Sequence, residues 1–448
     1  MLRKFFLLFV FLLGTTLLSA QEEKSKHKHH NMDEMEKSSE MKMMHPQQDS
    51  TMMMNENPSV SRRGSGTGWL PDAAPRYGYM FHSENWMYML HGNVFLRYTK
   101  QDVFDKGTRG DEKLGSTNWI MGMGQTKVGK NGLFSFSAML SLEALTVGGA
   151  GYPLLFQSGE TWNDRPLVDH QHPHDLFSEL SVSYKHAFSE DILGFVYLGY
   201  PGEPALGPVA FMHRPSGIYN SNTPLGHHWQ DATHVTFGVA TLGFQYKDFK
   251  VEGSLFTGTE PNEERYGFDE PRFNSQSVRL SYNPSENWAF QVSQAWLNDV
   301  HAIGPREDVN RSTASAIHAV QLGENKFLNS TLVWGYNNSI TGHHADSHSI
   351  LLESALRLNN TSIYGRYEWV QKSTEDLLLN EEIYGHGELY NINAVALGLQ
   401  QKLFNEWDTN FSVGIQGRLY VTPNGLENVY GETPVGAQVY LRIYPGRM

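Results

Sequence analysis

The chain has 448 residues, a formal net charge of −13 at pH 7 and no cysteine. The acidic balance argues against nucleic acid as a partner, and the absence of cysteine excludes disulfides, a thiol-linked lipid anchor and thiolate metal sites. Beyond residue 20 no stretch holds eighteen consecutive apolar residues, which excludes a membrane protein built from transmembrane helices.

Residues 1–20 have the pattern of a secretory signal peptide. A basic start at Arg3 and Lys4 precedes an apolar core over 5–13, and a small-residue cleavage site ends at Ala20. We therefore expect the chain to be exported and the signal peptide to be removed.

Residues 21–68 form a low-complexity segment without apolar periodicity, so we expect them to be disordered. Eight methionines and four histidines fall within residues 27–54. Thioether sulfur is a soft ligand that suits Cu(I), and imidazole suits Cu(II) and Zn(II). The tail is therefore predicted to capture metal ions, with a flexible spacer as the alternative. The candidate ligands are His27, His29, His30, His45, Met43, Met44, Met52, Met53 and Met54.

Residues 86–448 repeat one unit, a stretch of alternating apolar and polar residues followed by a connection. A membrane-spanning barrel requires strands of about 9–11 residues with one apolar and one polar face. We predict an all-β fold, a transmembrane antiparallel β-barrel of about sixteen strands, with fourteen as the alternative count. Among the clearest strands are 133–143, 410–419 and 435–444. Residues 69–85 are predicted to lead into the barrel, at its periplasmic mouth or in its lumen.

Short and long connections alternate along this region. Outer-membrane barrels show the same asymmetry, with short turns in the periplasm and long loops outside. An even number of strands then places both termini, and the tail, in the periplasm. A soluble sandwich or propeller is the alternative, but no fixed-length repeat supports a propeller. The long connections are predicted at 100–116, 146–174, 201–232, 258–273, 298–311, 338–347, 372–389 and 422–433.

Charged side chains on the polar faces of these strands are predicted to point into the lumen. Mixed charges on an inner wall pair with one another or face water. The candidate pore-lining residues are Arg97, Glu143, Glu179, Arg357, Arg366, Glu368, Arg418 and Arg442.

A histidine-rich run at 169–175 is the strongest chemical signal. If the run is extended, its three imidazoles share one face and its two aspartates the other. Imidazoles bind zinc and copper, carboxylates can orient the rings, and one ion is not expected to take all three imidazoles. The alternative is a hydrogen-bonded polar rim. The candidate metal ligands here are His170, His172 and His174, with Asp169 and Asp175 beside them.

The connection at 201–232 and the residues just after it carry a second group of candidate metal ligands. These are Met212, His213, His227, His228, Asp231 and His234. If this connection approached residues 169–175, a combined site would form; plain pore lining by the same polar groups is the alternative. The sequence leaves open whether the two connections meet.

The motifs at 169–175, 210–216 and 227–234 resemble those of a family of outer-membrane barrels found among copper and heavy-metal resistance proteins. More broadly, the region from 86 to the end resembles bacterial porins. The resemblance implies a location in the outer membrane and a link to copper. It also implies that the third external loop, here 201–232, folds into the barrel and narrows it.

These observations lead to an outer-membrane, porin-like channel for small solutes that is linked to transition-metal handling, with copper first. One alternative is a plugged barrel that binds or sequesters metal. A hydrolase at the barrel rim is another, but no Gly-x-Ser-x-Gly or His-Glu-x-x-His motif is present, so no enzyme is expected. The expected partners are membrane lipid and small solutes or metal ions, the candidate cofactor is a copper or zinc ion, and a homo-oligomer is compatible.

Overall fold

The structure is a computed structural model that describes residues 62–302, 306–341 and 345–448. The predicted signal peptide and the candidate ligands of the tail lie outside the described residues. None of the helices in the described ranges is long and apolar enough to cross a membrane.

Sixteen antiparallel strands of the described chain close into one barrel. The last strand, β19 (Val435–Pro445), closes the barrel by pairing with the first barrel strand, β2 (Trp86–Lys100). Ile443 lies opposite Val94 in this pairing. Sixteen strands is the predicted number, and the all-β transmembrane-type barrel is confirmed. The barrel strands are β2 (Trp86–Lys100), β3 (Glu112–Val128), β4 (Gly132–Leu140), β7 (Phe177–Ala187), β8 (Ile192–Gly199), β9 (Val239–Tyr246), β10 (Phe249–Phe256), β11 (Ser275–Ser285), β12 (Trp288–Leu297), β13 (Val309–Gly323), β14 (Lys326–Ser339), β15 (Ser347–Leu358), β16 (Thr361–Ser373), β17 (Leu389–Glu406), β18 (Thr409–Val421) and β19 (Val435–Pro445).

Three short strands and several single-turn helices lie outside this wall. One strand continues the edge of the barrel beside β2, and the other two form a hairpin within a loop. They are β1 (Tyr79–His82), β5 (Tyr152–Thr161) and β6 (Pro166–Gln171). The helices are α1 (Glu143–Thr146), α2 (His227–Gln230), α3 (Glu381–Tyr384) and α4 (Glu427–Tyr430), with 3₁₀ turns at Phe211–His213 and Ala232–His234.

Long loops and short turns alternate around the barrel as predicted. All the long loops lie at one end of the barrel. The first barrel strand begins at the opposite end, where the short turns lie, and the last strand ends there. One predicted strand is shorter than expected: β4 stops at Leu140 because the Asn118 side chain accepts the Leu142 amide at 2.8 Å. Glu143 therefore begins α1 rather than ending a strand. We number the long loops L1 (101–111), L2 (141–176), L3 (200–238), L4 (257–274), L5 (298–308), L6 (340–346), L7 (374–388) and L8 (422–434).

The outer face of the barrel is apolar. Exposed apolar side chains alternate with buried polar ones along the strands; examples of the exposed ones are Leu242, Val292 and Leu397. Stacked aromatic pairs gather near the short turns, such as Phe249 with Tyr282 at 4.2 Å between ring centroids. An apolar band with aromatic girdles is the surface that transmembrane barrels present to lipid.

The lumen is filled by L3 and by residues 62–75. Almost every residue of 201–231 is buried, and the Ala210 amide donates to Ser65 Oγ at 2.8 Å. The predicted infolding of the third long loop is therefore confirmed. The sequence prediction extended the disordered tail to residue 68, whereas 62–68 are packed inside the barrel, where Arg62 pairs with Asp72 at 3.1 Å.

The eight candidate pore-lining side chains are all buried inside the barrel. Several of them bond to L3: Arg97 donates to the Ser221 carbonyl at 3.0 Å, and Arg366 to the Asn222 carbonyl at 2.8 Å. The inward-facing charges therefore hold the inserted loop in addition to pairing with one another. The eight are Arg97, Glu143, Glu179, Arg357, Arg366, Glu368, Arg418 and Arg442.

Candidate metal centre

Three buried imidazoles converge where L2 and L3 meet inside the barrel. His172 follows β6 in L2, and His227 and His228 begin α2 in L3. One ring nitrogen from each lies within 4.8 Å of one from each of the others. The ring centroids are 6.5 Å apart for His172 and His227, 6.1 Å for His172 and His228, and 5.2 Å for His227 and His228. The two loops thus do meet, and we call these residues the three-histidine centre.

Each imidazole of the centre has a carboxylate beside its Nδ1 atom. The Nδ1 atoms of His227 and His228 are hydrogen-bonded to their carboxylates, and an ionised carboxylate only accepts, so both Nδ1 atoms donate and both Nε2 atoms keep their lone pairs. His172 Nδ1 donates to the Pro173 carbonyl at 3.2 Å, which also leaves its Nε2 lone pair in place. Carboxylates in this position orient metal-bound histidines and raise their basicity. The three contacts are His172 Nδ1 to Glu160 Oε2 at 3.0 Å, His227 Nδ1 to Asp231 Oδ1 at 2.7 Å and His228 Nδ1 to Glu260 Oε1 at 2.7 Å.

Two of the Nε2 atoms are left for a ligand. Those of His172 and His228 are buried and have no hydrogen-bond partner among the described residues, although buried polar atoms are nearly always paired. Gly159 lies against the face of the His228 ring, because a Cβ built at this glycine would stand 2.1 Å from Nε2, 2.3 Å from Cε1 and 2.5 Å from Cδ2. The two orphaned nitrogens fit a metal ion held by imidazole.

Burial favours the neutral imidazole at two residues of the centre, His172 and His227. Burial, helped by the Arg265 guanidinium, holds the pKa of His172 well below its ordinary value. Burial also lowers the pKa of His227 to about 4, although its bond to Asp231 acts in the opposite direction. Burial raises the pKa of Glu160 to about 8 against the pull of Arg265, and a cation on His172 would favour the ionised carboxylate. Neutral imidazole is the form that binds metal.

Two further predicted ligands, His174 and His234, lie beside the centre and bond to each other, with their Nε2 atoms 3.1 Å apart. Their Nδ1 atoms face Glu143 Oε2 and the Asp231 carbonyl, each at 2.7 Å. Burial would lower the pKa of His174, but the Glu143 carboxylate outweighs it and raises the pKa. The raised pKa of His174 and the lowered pKa of His234 favour a bond in which His174 Nε2 donates and His234 Nε2 accepts. The His234 ring lies 5.1 Å from that of His227.

The first residues of the histidine-rich run lie away from the centre. His170 is partly exposed, and its Nε2 is 3.1 Å from Asp111 Oδ2. Asp169 accepts the Phe156 amide at 2.6 Å and pairs with Arg109 at 3.0 Å. These contacts anchor the β5–β6 hairpin. Within this structure only His172 of the run belongs to the three-histidine centre.

The remaining predicted ligands of L3, Met212 and His213, point to another part of the barrel wall. Met212 packs with Met121 and Met139. The His213 ring lies 4.7 Å from the Trp119 ring. The structure therefore separates these two residues from the three-histidine centre.

Sequence reasoning missed Glu160, Glu260 and Gly159. No local pattern marks them, because each meets the centre only through the folding of L2 or L4. Arg265, also missed, pairs with Glu160 and lies 3.4 Å from the predicted Asp175. Asp175 therefore holds the arginine that lies behind the centre.

A buried ion-pair network ties the centre to the barrel wall. Arg214 of L3 contacts Asp231 Oδ2 at 2.9 Å and Glu353 Oε1 of β15 at 2.8 Å. Glu353 is also 2.9 Å from Arg366 of β16. Asp231, which positions His227, is in this way fixed to two strands.

A second group that could hold a cation lies at the edge of L7. Its three ligand atoms, one each from Glu375, Glu381 and His386, lie within 4.8 Å of one another. The side chains of Glu381 and His386 are exposed. The imidazole already contacts both carboxylates, at 3.0 and 3.2 Å. Exposed acidic groups of this kind are common without a metal, so this group is weak evidence for a cation site.

No family model matches this chain, and no curated protein matches it. Solved structures of similar shape include an anion-selective porin from Comamonas acidovorans, at 13% identity, 80% coverage of this chain, 99% of the porin and a TM-score of 0.49. OmpF of Salmonella typhi, in complex with daunomycin, is 10% identical over 82% of this chain and 100% of OmpF, with a TM-score of 0.47. OmpT of Vibrio cholerae is 10% identical over 82% of this chain and 99% of OmpT, with a TM-score of 0.44. The assignment of the barrel itself comes from the closed pairing of this chain's own strands.

Proposed function

We propose that this protein is an outer-membrane β-barrel that binds a transition-metal ion at the three-histidine centre. The single observation that carries the proposal is the convergence of His172, His227 and His228, each backed by its own carboxylate. Charged or polar side chains that merely line water would not need three such pairs directed at one point.

The chemistry of the ligands favours Zn(II) or Cu(II). Both ions accept neutral imidazole, at a metal–nitrogen distance of about 2.0–2.1 Å for zinc. Because each ring centroid lies about 3 Å from a zinc ion that its nitrogen binds, two imidazoles on one tetrahedral ion have centroids roughly 5 Å apart. The His227–His228 separation of 5.2 Å has this value, and His172, at 6.5 and 6.1 Å from the other two rings, has to move inward by about 1 Å to share the ion. Three protein ligands leave a position for water or for an incoming group, which suits an ion that must also be released.

The apolar outer face supports insertion in the outer membrane, with the long loops outside and both termini in the periplasm. In that orientation the centre lies on the loop side, and the tail lies on the opposite side of the membrane. The tail remains a predicted metal-capturing segment with His27, Met43 and Met52 among its candidate ligands. No enzymatic activity is proposed.

Passage of small solutes is the second candidate function, and the sixteen-strand barrel favours it. Barrels of 16–18 strands in porins are wide enough to enclose an aqueous channel. Here L3 and residues 62–75 occupy the lumen. We therefore rank a metal-binding barrel first and a general solute channel second.

The proposal is tested by metal binding to the full-length protein in detergent. Zn(II) and Cu(II) bound per chain are measured by chelator competition for the wild type and for His172→Ala combined with His228→Ala. Because both proteins carry the same tail, the difference isolates the barrel. We expect the variant to bind one ion fewer per chain, and His186→Ala, on the wall away from the centre, to match the wild type. Equal stoichiometry for the double variant would overturn the proposal.

A further inference from the structure

Methionine side chains cover one part of the inner wall. On β2, β3 and β4 the inward-facing positions include Met89, Met121, Met123 and Met139, within the described barrel. Met121 lies directly opposite Met139 on one neighbouring strand and opposite His91 on the other. Directly opposed residues have Cβ atoms about 4.5–5.5 Å apart, so these three side chains form one row across the wall.

Loop L3 covers this row with two more soft ligands. Met212 packs with Met121, Met139 and Phe211 in one buried cluster. His213, one residue further on, brings its ring to 5.8 Å from the ring of His91. Three thioethers and two imidazoles, from three strands and a loop, are thus gathered in one region of the lumen.

His91 supplies the observation that points to a ligand. Its Nε2 atom is buried and has no hydrogen-bond partner among the described residues. A methionine in a packed interior can simply fill an apolar gap. That role does not explain why a buried imidazole nitrogen beside these methionines has no partner. The His91 and His213 ring centroids, 5.8 Å apart, are slightly farther from each other than the roughly 5–5.5 Å of two imidazoles on one three- or four-coordinate ion, so a small side-chain movement brings both nitrogens to it.

We infer that His91, Met121, Met139, Met212 and His213 form a second metal site, selective for a soft monovalent ion such as Cu(I). Thioether sulfur binds Cu(I) far better than Zn(II) or other harder ions. The site is separate from the three-histidine centre and does not need it. Its ligands are thioethers and imidazoles from the wall, whereas the centre is made of carboxylate-backed imidazoles from the loops.

The two sites are neighbours. Phe211 belongs to the methionine cluster, and its ring lies 5.6 Å from the ring of His227. A cavity of about 30 Å³ is lined by His174, Phe211 and Met212, among others. Met123 and Met89, which pair across β3 and β2, continue the thioether surface toward the short-turn end. A soft ion at the second site would therefore lie between the loop side and the periplasmic side of the barrel.

The test uses Ag(I), a redox-inert probe for soft-metal sites, and methyl NMR of the full-length protein labelled at the methionine methyl carbons. Single Met→Leu variants, which nearly conserve volume, assign the signals. We expect the signals of Met121, Met139 and Met212 to shift with Ag(I). The signal of Met80, exposed on β1, should stay in place and serves as the control.

Two further samples separate this site from the three-histidine centre. In His91→Leu the Ag(I)-dependent shifts of Met121 and Met139 should be lost or need at least tenfold more Ag(I). In His172→Ala combined with His228→Ala the shifts should persist, so that failure of the centre and failure of this site are distinguishable. Unchanged Met121, Met139 and Met212 signals in the wild type, with Ag(I) in excess over the tail methionines, would overturn the inference.

Discussion

At the scale of single residues, the centre depends on the side chain that is absent at position 159 as much as on those present. Gly159 has a φ of +118° and lies against the face of the His228 ring. Any Cβ there would overlap the ring, and L-residues also avoid this backbone conformation. The glycine therefore lets the His228 ring keep its position in the centre.

Gly159→Ala is predicted to weaken metal binding at the centre by at least tenfold. The methyl group, built 2.1 Å from His228 Nε2, has to displace the ring from its present position. Gly148→Ala is the matched control, because Gly148 lies in the same loop at a positive φ of 74° but has no atom within 4 Å of the built Cβ. Chelator competition with Zn(II) measures both. Equal weakening in the two variants would show that backbone strain, and not the displaced His228 ring, is responsible.

The three histidines that converge in the structure were among the predicted ligands, but the glutamates beside His172 and His228 were not. His172, His227 and His228 stand out because histidine is concentrated in 169–175 and 227–234. Glu160 and Glu260 do not stand out, because a single glutamate in a long loop has no pattern. His170 and Asp169 were included by proximity in sequence, but the hairpin turns them toward Asp111 and Arg109.

At the scale of elements, L3 is held inside the barrel by buried charge pairs. Arg214 joins Asp231 in the loop to Glu353 on the wall, and all three side chains are almost fully buried. Removing one partner of a buried ion pair costs about 3–5 kcal/mol, because the remaining charges lose their compensation. The position of His227, which depends on Asp231, is tied to this network.

Arg214→Met is predicted to loosen L3 and to weaken the centre while leaving the barrel wall intact. Hydrogen exchange should become faster in residues 200–238 and stay unchanged in β13–β19, and Zn(II) affinity should fall at least tenfold. Arg272→Met is the control, since its pair with Asp299 is about half exposed and such pairs contribute at most about 1 kcal/mol. Protection of 200–238 equal to that of the wild type would contradict a wall-anchored loop.

The elements themselves were largely predictable from sequence. Period-two alternation placed 410–419 within β18 and 435–444 within β19, because one face of each strand is apolar and the other polar. The early end of β4 was not predictable, since it depends on the Asn118 side chain of the neighbouring strand. The packing of 62–68 inside the lumen was missed for a similar reason: polar residues such as Arg62 and Ser65 find partners only in the folded barrel.

At the scale of the whole molecule, the barrel encloses protein where an open porin encloses water. L3 enters from the loop end, and residues 62–75 fill the space next to β10 and β11, where Asn283 donates to the Leu70 carbonyl at 2.9 Å. Buried wall charges such as Arg279, which donates to the Gly207 carbonyl at 3.0 Å, bond to the inserted segment. Free diffusion of solutes through this lumen would require the segment to move.

Planar-bilayer recordings of the full-length protein are predicted to show no steady conductance at the level of an open sixteen-strand barrel. The physical reason is that L3 and residues 62–75 occupy the lumen, and wall charges such as Arg97 and Arg366 bond to L3. Arg214→Met should raise the frequency of brief openings, because it weakens the anchor of L3. Steady large conductance in the wild type would favour the small-solute channel over the metal-binding barrel.

The most direct measurement is the anomalous X-ray signal of Zn(II) in a metal-soaked crystal of the full-length protein, with data collected on both sides of the zinc absorption edge. The account predicts a peak between His172, His227 and His228, at about 2.0–2.1 Å from their Nε2 atoms. The same soak of His172→Ala combined with His228→Ala should lack the peak. A wild-type crystal in which zinc is bound elsewhere and these three imidazoles have no peak between them would contradict the central claim.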